Sequence, residues 1–127
     1  MSHHILIVDD SILMRTALKR MIDMVGIETA SITEACNGKE ALKVLESNSI
    51  DLILTDLNMP EMNGIELVHS LRENPENPDI PVVVITTESS PVRIEDLQET
   101  GNLYYLHKPF TPEEFREKIT HILGICS

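Results

Sequence analysis

Acidic residues in this chain follow apolar stretches of the length of a buried strand. Asp9 and Asp10 follow Ile5–Val8, and Asp56 closes a stretch that begins at Leu52. If these stretches are neighbouring strands of one parallel sheet, their carboxyl ends meet at one edge, where ligands bind in open α/β folds. Crowded carboxylates repel one another unless a cation joins them, and oxygen ligands without His or Cys favour Mg²⁺ or a similar ion such as Mn²⁺. The spacing therefore predicts a divalent metal site on Asp9, Asp10 and Asp56.

Two further polar side chains follow predicted strands and suit a phosphoryl group. The strand Pro81–Ile85 runs into Thr86, and the strand Tyr104–His107 is followed by Lys108. An ammonium group gives a fixed positive charge opposite the acids, and a hydroxyl can donate a hydrogen bond to a phosphoryl oxygen. A carboxylate such as that of Asp56 can itself be the nucleophile and form an aspartyl-phosphate.

Each of these residues also has a simpler interpretation. Asp9 or Asp10 could cap the helix that follows, since aspartate is common at that position. Asp56 could form a turn, while Thr86 and Lys108 could be an ordinary strand residue and a solvated charge. Their joint placement at the ends of successive strands favours a shared site instead.

Apolar patterning divides the chain into alternating strands and helices. Predicted strands lie at 5–8, 31–35, 52–56, 81–85 and 104–107. The first helix is predicted from the apolar positions Leu13, Ala17, Leu18, Met21, Ile22 and Val25. Later helices are predicted around 41–45, 64–71, 91–100 and 112–123, the last with a capping box from Thr111 to Glu114. Because parallel strands need crossover connections, this alternation predicts an α/β fold with a parallel sheet covered by helices on both faces.

Composition narrows the class of partner. The 127 residues suit one domain, and we expect a single domain over residues 1–127. A formal net charge of −11 at pH 7 disfavours nucleic acid and anionic membranes as partners.

Cys36 and Cys126 lack metal or redox spacing, and the start of the chain resembles neither a signal peptide nor a membrane span. We therefore expect a cytoplasmic protein, monomeric or weakly dimeric, that binds other proteins.

Four motifs together resemble the receiver domain of two-component response regulators. They are VDDS at 8–11, DLNMPEMNG at 56–64, VITTE at 84–88 and YLHKPF at 105–110, in the family's order over nearly the whole chain. The resemblance, which is to stand-alone receivers, implies a flavodoxin-like, five-stranded sheet of strand order 2-1-3-4-5. It also implies a signalling switch that catalyses only its own phosphorylation and dephosphorylation, with chemotaxis as one pathway.

The same resemblance assigns the metal site. Asp56 is implied to be the phosphoacceptor, which receives its phosphoryl group from a sensor histidine kinase. Asp10, Asp56 and the backbone carbonyl of Asn58 are implied to bind Mg²⁺ directly, and Asp9 mostly through water. No organic cofactor is implied.

Transmission of the phosphorylated state is implied to involve three further residues. Thr86 and Lys108 contact the phosphoryl group, and Tyr105 is the aromatic switch residue that reports the state of Thr86. A downstream protein then binds the fourth predicted helix, the fifth strand and the fifth helix, at about 91–100, 104–107 and 112–123.

Three alternatives remain open at this point. Within the family, a phosphorelay intermediate would pass its phosphoryl group to a histidine phosphotransfer protein. A haloacid-dehalogenase-type phosphatase would need a second acid two residues after Asp56, where Asn58 stands. A flavodoxin-like cofactor binder would need a Ser/Thr/Gly-rich phosphate loop after the first strand, and none follows Val8.

Overall fold

The computed structural model describes residues 3–56, 64–73, 80–86 and 103–124. In these ranges the elements are β1 (His3–Val8), α1 (Ile12–Met24), β2 (Thr29–Ala35), α2 (Gly38–Ser47), β3 (Leu52–Asp56), α3 (Gly64–Glu73), β4 (Val82–Thr86), β5 (Leu103–His107) and α4 (Pro112–Leu123). α4 is the fifth helix of the sequence prediction. The helix predicted at about 91–100 lies outside the described residues, as does Asn58. No described helix has the length and apolar character needed to span a bilayer.

The strands form one parallel sheet in the order β2-β1-β3-β4-β5. This confirms the predicted fold class and strand order. Strand limits differ slightly from the prediction: β1 and β2 each begin two residues earlier. β4 begins at Val82 because Pro81 has no N–H to give to the ladder, although the Pro81 carbonyl still accepts the Ile53 N–H at 3.0 Å.

Helices cover both faces of the sheet. On one face α2 and α3 pack their buried residues onto the sheet: Ala41, Leu45, Leu67, Val68 and Leu71. On the other face α1 and α4 do the same with Leu18, Ile22, Phe115 and Ile119. Successive strand residues point to opposite faces, so a strand covered on both sides must be apolar throughout. This is why Leu52–Leu54 and Val82–Ile85 are continuous apolar runs in the sequence.

Ser11 caps the amino end of α1. Its hydroxyl accepts the Met14 N–H at 3.3 Å, so the alternative that Asp9 or Asp10 forms the cap is wrong. Because Ser11 forms the cap, both aspartates are left available for the edge of the sheet. At the other end of α1, Gly26 follows the helix with φ of 80°, a left-handed conformation that a residue without Cβ adopts at little cost.

The apolar stripe of α1 differs from the predicted one. Leu18 and Ile22 are buried, but Leu13 is 83 % exposed and Ala17 is also exposed. At about 100° per residue, Leu13 lies roughly 140° around the helix from Leu18, so both cannot face the sheet. The burial of Leu18 and Ile22 sets the rotation of the helix, and Ile12 is left 69 % exposed beside Leu13.

The start of α4 agrees with the sequence. Thr111 Oγ1 accepts the Glu114 N–H at 3.1 Å, and Glu114 Oε1 accepts the Thr111 N–H at 3.3 Å, which completes the capping box. Pro112 occupies the first turn, where its missing N–H costs nothing. Phe115 and Ile119 are fully buried and face the sheet.

Glu34 on the edge strand β2 holds two cations of α1. Arg15 Nε lies 3.0 Å from Glu34 Oε1, and Lys19 Nζ lies 2.9 Å from Glu34 Oε2. The hydrogen bond from Lys19 and then that from Arg15 hold the pKa of Glu34 below its usual range, against the opposing effect of burial. The pairs therefore join α1 to β2 as long as Glu34 is ionised.

Replacing Glu34 with Gln should lower the free energy of unfolding at pH 7 by about 0.5–1 kcal/mol, a range that allows for solvent screening of partly exposed pairs. Since the pKa is lower in the folded chain than in the unfolded one, the stabilisation is present above the unfolded value and disappears as pH falls through the folded value. Urea unfolding of the wild-type protein and the variant, at pH values from above the unfolded pKa to below the folded pKa, measures the difference in stability. Glu46→Gln, a change of an exposed glutamate on α2, is the control. A difference that grows towards acid pH would contradict this prediction.

Candidate functional site

The structure brings three carboxylates together at the carboxyl edge of the sheet. Asp9, Asp10 and Asp56 each offer an oxygen, and these atoms lie within 4.8 Å of one another. The cause is the strand register: β1 and β3 are neighbours, and Val8 pairs with Thr55, so the residues that follow end side by side. Asp9 is buried, Asp56 half-buried and Asp10 exposed. The cluster therefore opens to solvent on one side.

Asp9 lies in an unfavourable environment for a negative charge. Burial raises the pKa of its carboxyl above the ordinary value, and the charge of Asp56 raises it further. The Ser11 N–H, which donates to Asp9 Oδ1 at 2.9 Å, and the charge of Lys108 both act in the opposite direction. Crowding of this kind favours a bound cation, which would stabilise the ionised forms together.

Thr86 ends β4 and Lys108 directly follows the neighbouring strand β5, so the two residues lie together. Thr86 is 4 % exposed at the end of β4, and its carbonyl accepts the Lys108 N–H at 2.9 Å. Lys108 is half-buried, and its positive charge acts to lower the pKa of Asp9. A cis peptide bond joins it to Pro109.

Tyr105 shares a face of the sheet with Thr86. It pairs with Val84 in the register of β4 and β5, and Thr86 lies two residues further along β4. Side chains two residues apart on a strand point to the same face. Tyr105 is half-buried and packs against the core formed with α2 and α3. Its role as a switch stays a prediction, and so do the roles of the other site residues.

The donor set fits a hard divalent cation. It consists of carboxylate oxygens close enough for one ion to join them, directly or with bound water, and Mg²⁺ characteristically takes a few carboxylates together with water. Of the ligands predicted from the sequence, Asp9, Asp10 and Asp56 are brought together. The fourth, the carbonyl of Asn58, lies outside the described residues.

Sequence reasoning missed Arg15. Its guanidinium Nη1 donates to the backbone carbonyl of Asp9, while Nε of the same group pairs with Glu34. Nothing in the sequence near Arg15 indicates the pair with Glu34, because that pair depends on an edge strand contributed by residues 29–35. The contact with the Asp9 carbonyl spans only six residues, and the position of Arg15 one helical turn after the cap Ser11 is a local hint to it.

Comparison with known proteins gives a consistent result. The family model of the response regulator receiver domain matches residues 5–120. Chemotaxis protein CheY1 of Helicobacter pylori is 38% identical over 121 residues, which cover 94% of this chain and 96% of that protein. A CheY homologue of Campylobacter jejuni is 37% identical over 124 residues, 97% of this chain and 94% of the relative. The structure of the chemotaxis response regulator CheY4 of Vibrio cholerae matches with a TM-score of 0.84 at 32% identity, over 97% of this chain and 100% of the other.

Proposed function

This chain belongs to the response regulator receiver domain family, and we propose that its Asp56 accepts a phosphoryl group from a sensor histidine kinase. Membership and the similarity to CheY proteins support a phosphorylation-activated signalling switch. Signalling, and not turnover of an external substrate, is the activity of such proteins. The observation that carries the proposal is the meeting of Asp9, Asp10 and Asp56 within 4.8 Å, under the influence of the Lys108 charge.

The proposed reaction is a phosphoryl transfer to a carboxylate. An Asp56 oxygen attacks the phosphorus of a phosphohistidine, the P–N bond breaks, and the imidazole nitrogen leaves with the bonding electron pair and takes up a proton. Asp56 is half-buried at the end of β3, so the donor can reach it from solvent. The Lys108 ammonium and the Thr86 hydroxyl are proposed to bind phosphoryl oxygens. Attack by water on the phosphorus of the acyl phosphate then breaks the P–O bond to Asp56, releases inorganic phosphate and restores the carboxylate.

Divalent metal is proposed as the cofactor of this reaction, with Mg²⁺ or Mn²⁺ as the ion. Asp10, Asp56 and the Asn58 carbonyl would hold it directly, and Asp9 mostly through water. When bound, it supplies positive charge that offsets the charge of the phosphoryl oxygens. The three acids need such a charge, since burial and like-charge repulsion both act against ionised Asp9.

Asp10→Ala should weaken Mg²⁺ binding about tenfold more than Asp9→Ala, since loss of an indirect partner costs less than loss of a direct ligand. Calorimetric titration of both variants measures the two affinities. Urea unfolding serves as the control, because Asp9→Ala also removes the acceptor of the Ser11 N–H, whereas Ser11 and not Asp10 caps α1. Equal affinities in the two variants would contradict the assignment.

The surface proposed for the downstream protein includes β5 and α4. A cavity of about 550 Å³ lies between them, lined by Tyr105, Leu106, His107, Glu114, Glu117, Lys118 and His121. Tyr105 lines this cavity and lies on the same face of the sheet as Thr86. A change at Asp56 that moves Thr86 would therefore alter the cavity through Tyr105. Capture of partners with and without a phosphoryl mimic tests the proposal. A partner retained equally by both forms would count against it.

A chemotaxis role is the finer proposal for the pathway. It is supported by similarity to chemotaxis proteins of Helicobacter pylori and Campylobacter jejuni over almost their whole length. We further propose a single domain over residues 1–127, a cytoplasmic location and a monomeric or weakly dimeric state. Swimming behaviour of cells that lack the protein, with and without a restored copy, tests the proposed pathway. An unchanged turning frequency would exclude the chemotaxis role and favour a phosphorelay.

A further inference from the structure

Asp9 is fixed through three polar groups at the end of β1. Its N–H donates to the Ala35 carbonyl at 3.0 Å, and its Oδ1 accepts the Ser11 N–H at 2.9 Å. The pairing of β1 with β2 ends at Val8, so the Asp9 carbonyl lies beyond the ladder. The hydrogen bond to this carbonyl comes from Arg15 Nη1.

That carbonyl belongs to the peptide group that joins Asp9 to Asp10. Because a peptide group is planar, the direction of its carbonyl fixes the orientation of the chain on both sides of it. A donor placed there therefore sets the relative position of two of the three clustered acids. Arg15 is well placed to do this, since its side chain is only 13% exposed.

Glu34 fixes the arginine in turn. It lies on β2 and binds Arg15 Nε through Oε1 and Lys19 Nζ through Oε2. The guanidinium thus makes two hydrogen bonds at once, to the Glu34 carboxylate and to the Asp9 carbonyl. A planar group with several fixed donors is suited to such a bridge, whereas a lysine ammonium is a point charge on a flexible stem.

We propose that Arg15, anchored by Glu34, is a positioning residue that orients the Asp9–Asp10 peptide for metal binding. The proposal rests on the proposed function in one respect, that the acidic cluster binds Mg²⁺. Charge alone predicts the opposite effect: a positive group near a cation site weakens binding, so removal of the charge would strengthen it. A substitution that keeps the charge and loses the bridge separates the two effects.

Arg15→Lys is that substitution, and Lys19→Met is its matched control. Lys19 pairs with the same Glu34 carboxylate but makes no recorded contact with Asp9 among the described residues. We expect Arg15→Lys to raise the dissociation constant for Mg²⁺ about tenfold, the lower end of the effect of removing a residue that orients a metal ligand. Lys19→Met should leave the dissociation constant for Mg²⁺ within about twofold of wild type, because Lys19 does not orient a metal ligand.

Mg²⁺ titration followed by amide NMR shifts of Asp9, Asp10 and Asp56 provides the affinities, and urea unfolding of each variant provides the stabilities. Without metal, the Asp10 amide shift should already differ in Arg15→Lys and agree with wild type in Lys19→Met. Unchanged Mg²⁺ affinity in Arg15→Lys, or equal loss in both variants, overturns the positioning role. Wild-type protein that binds no Mg²⁺ at millimolar concentrations would instead overturn the metal site, a failure visible before any variant is made.

Discussion

A variant with Asn in place of Asp56 should take up no phosphoryl group, whereas the wild-type protein should form a one-to-one adduct. The amide lacks the carboxylate oxygen that forms the acyl phosphate, and no other residue of the cluster is proposed to replace it. The change also keeps the size of the side chain at the end of β3. Intact mass after incubation with a small acyl-phosphate donor and Mg²⁺ measures the result directly.

Two controls make this test specific. Asp23→Asn removes an exposed carboxylate from α1, away from the sheet edge, and should leave the adduct unchanged. Excess chelator should suppress labelling of the wild-type protein, since the three acids repel the donor's phosphoryl oxygens when no cation is bound. An unchanged adduct in Asp56→Asn would exclude Asp56 as the acceptor, and full labelling in chelator would exclude the metal dependence.

Strand ends were the most predictable part of the site. Strands buried on both faces must be apolar throughout, so the acids that interrupt those runs mark the sheet edge with little ambiguity. The meeting of Asp9, Asp10 and Asp56 follows from this pattern once the strands are parallel and neighbouring. The order of the strands, in contrast, came from the family resemblance, because apolar runs alone do not tell which strand lies beside which.

Features that depend on a choice between neighbouring residues were less predictable. Asp9, Asp10 and Ser11 are all good helix caps, and only the packed helix selects Ser11. Similarly, the apolar residues at the start of α1 fit more than one stripe, and the burial of Leu18 decides that Leu13 is exposed. Contacts that cross elements distant in sequence, such as the pair of Arg15 on α1 with Glu34 on β2, require the packed sheet and leave no local pattern.

Thr86→Ala should still be phosphorylated at Asp56 yet lose most of the response of β5 and α4. Phosphorylation is expected to attract the Thr86 hydroxyl and the Lys108 ammonium towards Asp56. Thr86 is buried on the face of the sheet that also carries Tyr105, so its movement changes the space available to that ring. Ring position and phosphorylation would then share one equilibrium between two preformed states, with a coupling of about 1–3 kcal/mol.

Amide NMR shifts of residues 103–124, recorded before and after phosphorylation, measure this response. Thr86→Ser is the matched control, since it keeps the hydroxyl and should keep most of the wild-type shift changes. The competing interpretation is that Tyr105 is a static aromatic residue that serves only packing, which its half-buried position against the core also allows. In that case Thr86→Ala and Thr86→Ser would both respond like wild type, and the signal would have to reach β5 and α4 through residues other than Thr86 and Tyr105.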